Sequence, residues 1–254
     1  MLGFDKYGSG DRCVIVLNDW IGDVSTNWSS ARQYLDHEHF TWVFADLRGY
    51  GRSRGQSGTF SVAEATADVL AMADSLGWHR FSVIGHSMSS LVALHLAQHY
   101  ADAIERVVVL TPPPPRGFGA DEATIKALRD VAYGDDAKRL SMLQFMWGDR
   151  LSQTWKRFKA ERWRMCADAE AVAEYVFMFS RDGLPDPAAK IQMPLLAITG
   201  EQDSEPMRKD AVTAALRPIS ADARVVPLES CGHYPMQEAP PLLATLLEQF
   251  LLGA

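Results

Sequence analysis

Six short apolar runs separate stretches of helical periodicity along this chain, and that alternation restricts the fold more than any other feature. Cys13-Val14-Ile15-Val16-Leu17 is the first run, followed by Trp42–Ala45, Phe81–Ile84, Val107–Leu110, Leu195–Ile198 and Arg224–Leu228. Most are continuous rather than alternating, as in strands covered on both faces of a parallel sheet. Pro227 lacks a donor for a ladder and predicts that the sixth run lies at an edge. Between the runs, Val62, Ala65, Val69, Met72 and Leu76 form one helical stripe that Gly77 ends. Leu91, Leu94 and Ala97 mark a second helix, and Leu243, Leu246, Leu247 and Phe250 a last one behind Pro240-Pro241. Strand–helix alternation of this kind predicts an α/β fold with a doubly wound, mostly parallel sheet.

Residues 112–190 break the rhythm. The run Pro112-Pro113-Pro114-Pro115 cannot continue a strand, and three or four helical segments follow it. The expected organisation is a core made of residues 1–111 and 191–254, with 112–190 as a helical cap. The cap segment is rich in methionine and aromatic residues, among them Phe158, Met165 and Phe179. Met142, Phe145, Met146 and Trp147, with Trp155, Trp163 and Phe177, are the candidates for an apolar pocket, which favours such side chains.

Composition excludes several classes. The 254 residues are 47% hydrophobic and carry a formal net charge of −7 without a basic stripe, which argues against nucleic-acid binding. No apolar run is long enough to span a bilayer. Met1-Leu2-Gly3-Phe4-Asp5-Lys6 has neither a basic nor an apolar signal region. Cys13, Cys166 and Cys231 are far apart and form no CxxC pair, so neither zinc nor redox chemistry is expected, and a cytoplasmic location is. His95 and His99 have a metal-ligand spacing but no third ligand, and read as a structural pair. Gly49-Tyr50-Gly51 is not a dinucleotide loop, and no phosphate-binding GxxxxGK[ST] string occurs. The expectation is no metal, no cofactor, a small-molecule substrate, and a monomer or homodimer.

Three loops carry the chemistry. Gly85-His86-Ser87-Met88-Ser89 follows a predicted strand and precedes a helix, the context of a strained turn that exposes a nucleophilic serine. Ser89 stands where a glycine is usual, two residues after Ser87. His233, between the last strand and the last helix, has the imidazole to take the Ser87 proton and return it to a leaving group. Asp203, in Gly200-Glu201-Gln202-Asp203, would orient that imidazole, with Glu201 and Glu205 as nearby competitors.

Taken together, these loops run Ser–Asp–His, each after a predicted strand, and the chain resembles the α/β-hydrolase fold superfamily. Asp46-Leu47-Arg48-Gly49-Tyr50-Gly51-Arg52-Ser53 and Gly77-Trp78-His79-Arg80 share in the resemblance. It implies an eight-stranded, mostly parallel sheet, with the first one or two strands abbreviated here. It also implies a cap inserted after the sixth family strand, a Ser87/His233/Asp203 triad and no required cofactor. By carry-over, the Trp20 and Met88 backbone amides would be the oxyanion donors. One departure stands out. The family's oxyanion loop begins His-Gly, and this chain has Asn18-Asp19. An inward carboxylate at ~6 Å would repel an oxyanion by roughly 3 kcal/mol at an effective dielectric near 20. Asp19 is therefore expected to point away, or the site to serve other chemistry. Asn18, Asp19 and His86 complete the candidate pocket residues.

The expected function is hydrolysis of a small, fairly apolar ester, lactone or related acyl compound through an acyl-enzyme. The alternative within the fold is cofactor-free C–C hydrolysis or dioxygenation of an N-heteroaromatic ring. A non-catalytic binding protein is a third reading, which the intact Ser87/Asp203/His233 set opposes.

Overall fold

The computed structural model describes residues 1–253. Seven strands form one sheet: β1 (Phe4–Gly8), β2 (Arg12–Leu17), β3 (Phe40–Ala45), β4 (Phe81–His86), β5 (Ile104–Leu110), β6 (Leu195–Gly200) and β7 (Arg224–Leu228). Their order is β1-β3-β2-β4-β5-β6-β7. All neighbours are parallel except β1, which runs antiparallel to β3. Every residue of β3, β4 and β6 is buried, which accounts for their unbroken apolar character. β7, with Pro227, is an edge strand.

The sheet has one strand fewer than the eight the resemblance implies. β1 is not among the six apolar runs, because Phe4-Asp5-Lys6-Tyr7-Gly8 carries two charges and lies half-exposed at the other edge. With one strand fewer at the start, the fifth strand of this sheet corresponds to the family's sixth, and the helical insertion follows it.

The helices are α1 (Val24–Trp28), α2 (Val62–Ser75), α3 (Ser89–His99), α4 (Glu122–Ala132), α5 (Asp136–Trp147), α6 (Gln153–Cys166), α7 (Ala169–Phe177), α8 (Lys209–Leu216), α9 (Pro235–Glu238) and α10 (Pro240–Leu252). Capping sets several starts: Ser61, Asp121, Asp135 and Ser152 accept the amides of Glu64, Thr124, Lys138 and Trp155 at α2, α4, α5 and α6. No helix among the described residues is long and apolar enough to cross a membrane.

Helices α4 to α7 lie between β5 and β6 and are fastened to loops at the carboxyl ends of strands. Asp168 N donates to Gly49 O at 2.7 Å, Trp20 Nε1 to Val172 O at 2.8 Å, and Trp155 Nε1 to Gln237 Oε1 at 3.0 Å. The sheet itself dictates what lies beneath. Chain order runs outward from β2 to β3 on one side and from β4 to β7 on the other, so β2 and β4 flank the switch point where a crevice opens. The residues just after β2 (Asn18-Asp19-Trp20) and just after β4 (Ser87) meet there.

Candidate active site

Ser87 sits between β4 and α3 with φ at 52°, a left-handed conformation that costs a non-glycine residue energy. The turn is held from both sides. Ser87 N donates to Leu110 O at 2.9 Å. A Cβ added to Gly85 would lie 2.4 Å from Ser89 O, so only glycine fits there. Ser89, in the place of the usual glycine, is buried and braces the turn: its Oγ accepts from His86 N at 2.9 Å and donates to His86 O at 3.1 Å.

His233 follows β7, and Asp203 follows β6. Gly200 lets their loops touch, since a Cβ there would lie 2.1 Å from Gly232 O, and Gln202 N donates to Cys231 O at 2.8 Å. His233 Nδ1 lies 2.7 Å from Asp203 Oδ2, and Nε2 lies 2.9 Å from Ser87 Oγ. With Nδ1–H donating to the carboxylate, the neutral ring presents Nε2 as acceptor to the serine hydroxyl. Asp203 Oδ1 accepts from Ser204 N at 2.7 Å, while Glu201 and Glu205 are exposed. Burial alone would lower the His233 pKa, but the charge and hydrogen bond of Asp203 outweigh it and raise it above its ordinary value.

The His233 backbone is also pinned. Its carbonyl accepts from His86 Nε2 at 2.7 Å and from Thr111 Oγ1 at 3.2 Å. Glu238 accepts from Gly232 N at 2.8 Å and Tyr234 N at 3.1 Å, and is paired in turn with Arg150 from the insertion. Burial lowers the His86 pKa to about 4, so His86 is a neutral spacer.

A cavity of about 350 Å³ opens above Ser87 and His233. Asp19, Met142, Phe145, Met146 and Trp147, expected to line it, do so. The other five pocket candidates do not. Asn18 is turned into its own loop, donating to Asp19 O at 2.8 Å and accepting from Leu47 N at 2.7 Å. His86 is buried under His233. Trp155 packs on Trp147 and Tyr234, and Trp163 packs edge-on against Trp20. Phe177 lies in a separate cleft beside Arg181. The sequence reading missed Ile21, Pro113, Phe118, Leu128, Ser204 and Met207, which line the cavity together with Phe179 from the aromatic set. Phe118, Leu128 and Phe179 belong to the segment whose aromatic and apolar content was the available signal.

Asp19 is 1% exposed. Its Oδ1 accepts from Asn27 Nδ2 and its Oδ2 from Tyr234 OH, both at 2.6 Å. Burial alone would raise its pKa, yet the Lys159 ammonium and the Tyr234 hydroxyl hold it below the usual carboxylate range. The Asp19 carbonyl accepts from Asn18, so in a trans peptide the Trp20 N–H faces the opposite way. Among the described residues neither the Trp20 nor the Met88 amide donates to a protein acceptor. None of the His, Cys, Asp and Glu groupings there, in threes or more, is placed to hold a metal ion.

Comparison with known proteins agrees with this architecture. The chain is 24% identical over 212 residues to 3-oxoadipate enol-lactonase 2 of Acinetobacter baylyi, covering 80% of this chain and 76% of that one. It is 23% identical over 207 residues to the serine hydrolase BPHL of Homo sapiens, covering 80% and 67%. Among solved structures, the enol-lactonase from Burkholderia xenovorans LB400 superposes with a TM-score of 0.83 at 23% identity, covering 99% of this chain and 96% of that one. A family model described as "Alpha/beta hydrolase family" matches residues 14–246, and the chain belongs to that family.

Proposed function

We propose that the protein is a serine hydrolase acting on small, neutral, apolar esters or lactones. The observation that carries this reading is the continuous Ser87–His233–Asp203 hydrogen-bonded relay at the base of the cavity. In the proposed reaction Ser87 Oγ attacks the carbonyl carbon as its proton passes to His233 Nε2. Asp203 keeps Nδ1 protonated and stabilises the imidazolium. The carbonyl oxygen becomes an oxyanion held by the Trp20 and Met88 amides. As the C–O bond to the leaving group breaks, Nε2 returns its proton to that oxygen. Water then repeats the sequence on the acyl-serine and releases the acid.

The cavity supports the substrate class. Among the described residues its lining has no Lys or Arg, and its acidic members are Asp19 and Asp203 beside His233. A substrate carboxylate would lose its hydration and meet no cation. Neutral acyl esters are therefore expected to be turned over at least about a hundredfold more efficiently than the corresponding carboxylate-bearing esters, a difference of about 3 kcal/mol.

The test is reaction with a fluorophosphonate probe followed by peptide mapping. Modification confined to Ser87, and lost in Ser87→Ala, is the expected result. Folded protein that takes up no label at Ser87 would overturn the reading and direct attention to C–C hydrolysis, dioxygenation or binding.

A further inference from the structure

Two buried charges stand beside the cavity, and the proposed reaction uses neither directly. Asp19 precedes Trp20 and lines the cavity. Lys159 reaches in from α6 with 0% of its surface exposed. An ammonium buried so deeply requires compensation. Its Nζ donates to Asn27 Oδ1 at 2.6 Å and lies 3.9 Å from the centre of the Tyr234 ring. The same Asn27 amide donates to Asp19, and the same Tyr234 donates its hydroxyl to Asp19. The two ions are thus not in direct contact. They are joined through one amide and one phenol, which also connect the insertion to the loops after β2 and β7.

We propose that Lys159 is a positioning residue of the site, whose ammonium, acting through Asn27, balances the Asp19 carboxylate so that the Trp20 loop can receive a developing negative charge. The inference rests on the Ser87 hydrolase reading. Without the ammonium, a carboxylate on the residue before Trp20 would be uncompensated in a poorly screened region where an oxyanion must form. With the ammonium, the pair is neutral overall.

The groups facing Lys159 are Asp19 and Asp23 from the loop after β2, Cys166 from its own helix, and Tyr234 beside His233. His86 and His233 also interact with Asp19, His86 feels the Lys159 charge as well, and Arg162 faces Asp23 at 3.9 Å. Burial pushes the Cys166 thiol up to about 12 and Tyr234 well above its ordinary value, so both stay neutral. Burial lowers the Lys159 ammonium to about 8, against the opposing pull of Asp19. Lys159 therefore loses its charge within the working range of a pH titration.

The experiment measures the rate of fluorophosphonate modification of Ser87 against pH in the wild type, Asp19→Asn, Lys159→Met and the double variant, each checked for folding by circular dichroism. The wild-type rate is expected to fall above about pH 8, and this fall is expected to be absent in Asp19→Asn. Lys159→Met is expected to slow modification at least about tenfold in the wild-type background and less than about threefold in the Asp19→Asn background. If Lys159→Met does not fold, the double variant compared with Asp19→Asn and the two pH profiles decide. Equal losses in both backgrounds, no loss in either, or an alkaline fall that persists in Asp19→Asn would overturn the proposal while leaving the Ser87 reading intact. Absence of Ser87 modification in the wild type would overturn both.

Discussion

In the proposed reaction His233 can act as a base only when its ring is neutral, and its raised pKa sets where that happens. Protonation removes the acceptor at Nε2, so the rate of Ser87 modification should fall with acidification through a midpoint above the ordinary histidine value of about 6.5. Asp203→Asn removes the leading charge that raises this pKa, and should move the midpoint down. It should also slow modification by roughly a thousandfold or more, because the tautomer is no longer fixed. Both effects are read from one pH–rate profile. Gly85→Ala should destabilise the fold by about 3 kcal/mol in a denaturant titration, since its Cβ would press on the Ser89 backbone. These residues were legible because each owes its place to a local rule: a tight turn after a strand, a loop before a helix, an acid after a strand. Lys159 obeys no such rule. Nothing in Lys156-Arg157-Phe158-Lys159 marks it as buried, and its burial goes with a hydrogen bond to Asn27, more than a hundred residues away in sequence.

At the scale of elements, the parallel strands inside the sheet were readable because burial on both faces leaves continuous apolar runs, β7 at the edge is mostly half-buried and was readable from its short Val-Val run, and β1 was hidden by the charges its edge position tolerates. Helix α6 shows why the insertion was read less well. Its buried side carries Lys156, Lys159, Ala160 and Trp163, so the stripe that faces the protein is not apolar. Lys156 donates to Gln144 and to Gly148 O at the end of α5, and joins two inserted helices. The insertion also acts on the loop of His233 through Arg150 and Glu238. Glu238 accepts two backbone amides of that loop, so Glu238→Ala should cost about 3 kcal/mol of stability by leaving both donors unpaired. Arg150→Ala leaves those hydrogen bonds in place, and should cost less in the same denaturant titration.

For the molecule as a whole, the place of the site followed from strand order, but the shape of the cavity did not. Its walls come from the loops after β2, β5 and β6, from α4 and α5 and from the turn after α7, segments brought together only by the finished fold. Acid should weaken that fold through buried His86. Its folded pKa is depressed to about 4, while the unfolded chain takes up the proton near the ordinary histidine value. Stability from keeping this ring neutral is thus full above pH ~6.5 and is lost as pH falls toward ~4, by about 3 kcal/mol. A melting temperature that declines over that window, and declines less in His86→Asn, is the expected outcome. His233, with its raised pKa, works in the opposite direction and offsets part of the loss. The two hydrogen bonds that converge on the His233 carbonyl, from His86 at the end of β4 and from Thr111 just past β5, have a further consequence. They join the loop that carries the proposed base to the two middle strands of the sheet, so that loop cannot fray by itself as surface loops do. The Gly232 and Tyr234 amides should exchange with deuterium only at the rate of global opening, in one cooperative unit with the centre of the sheet.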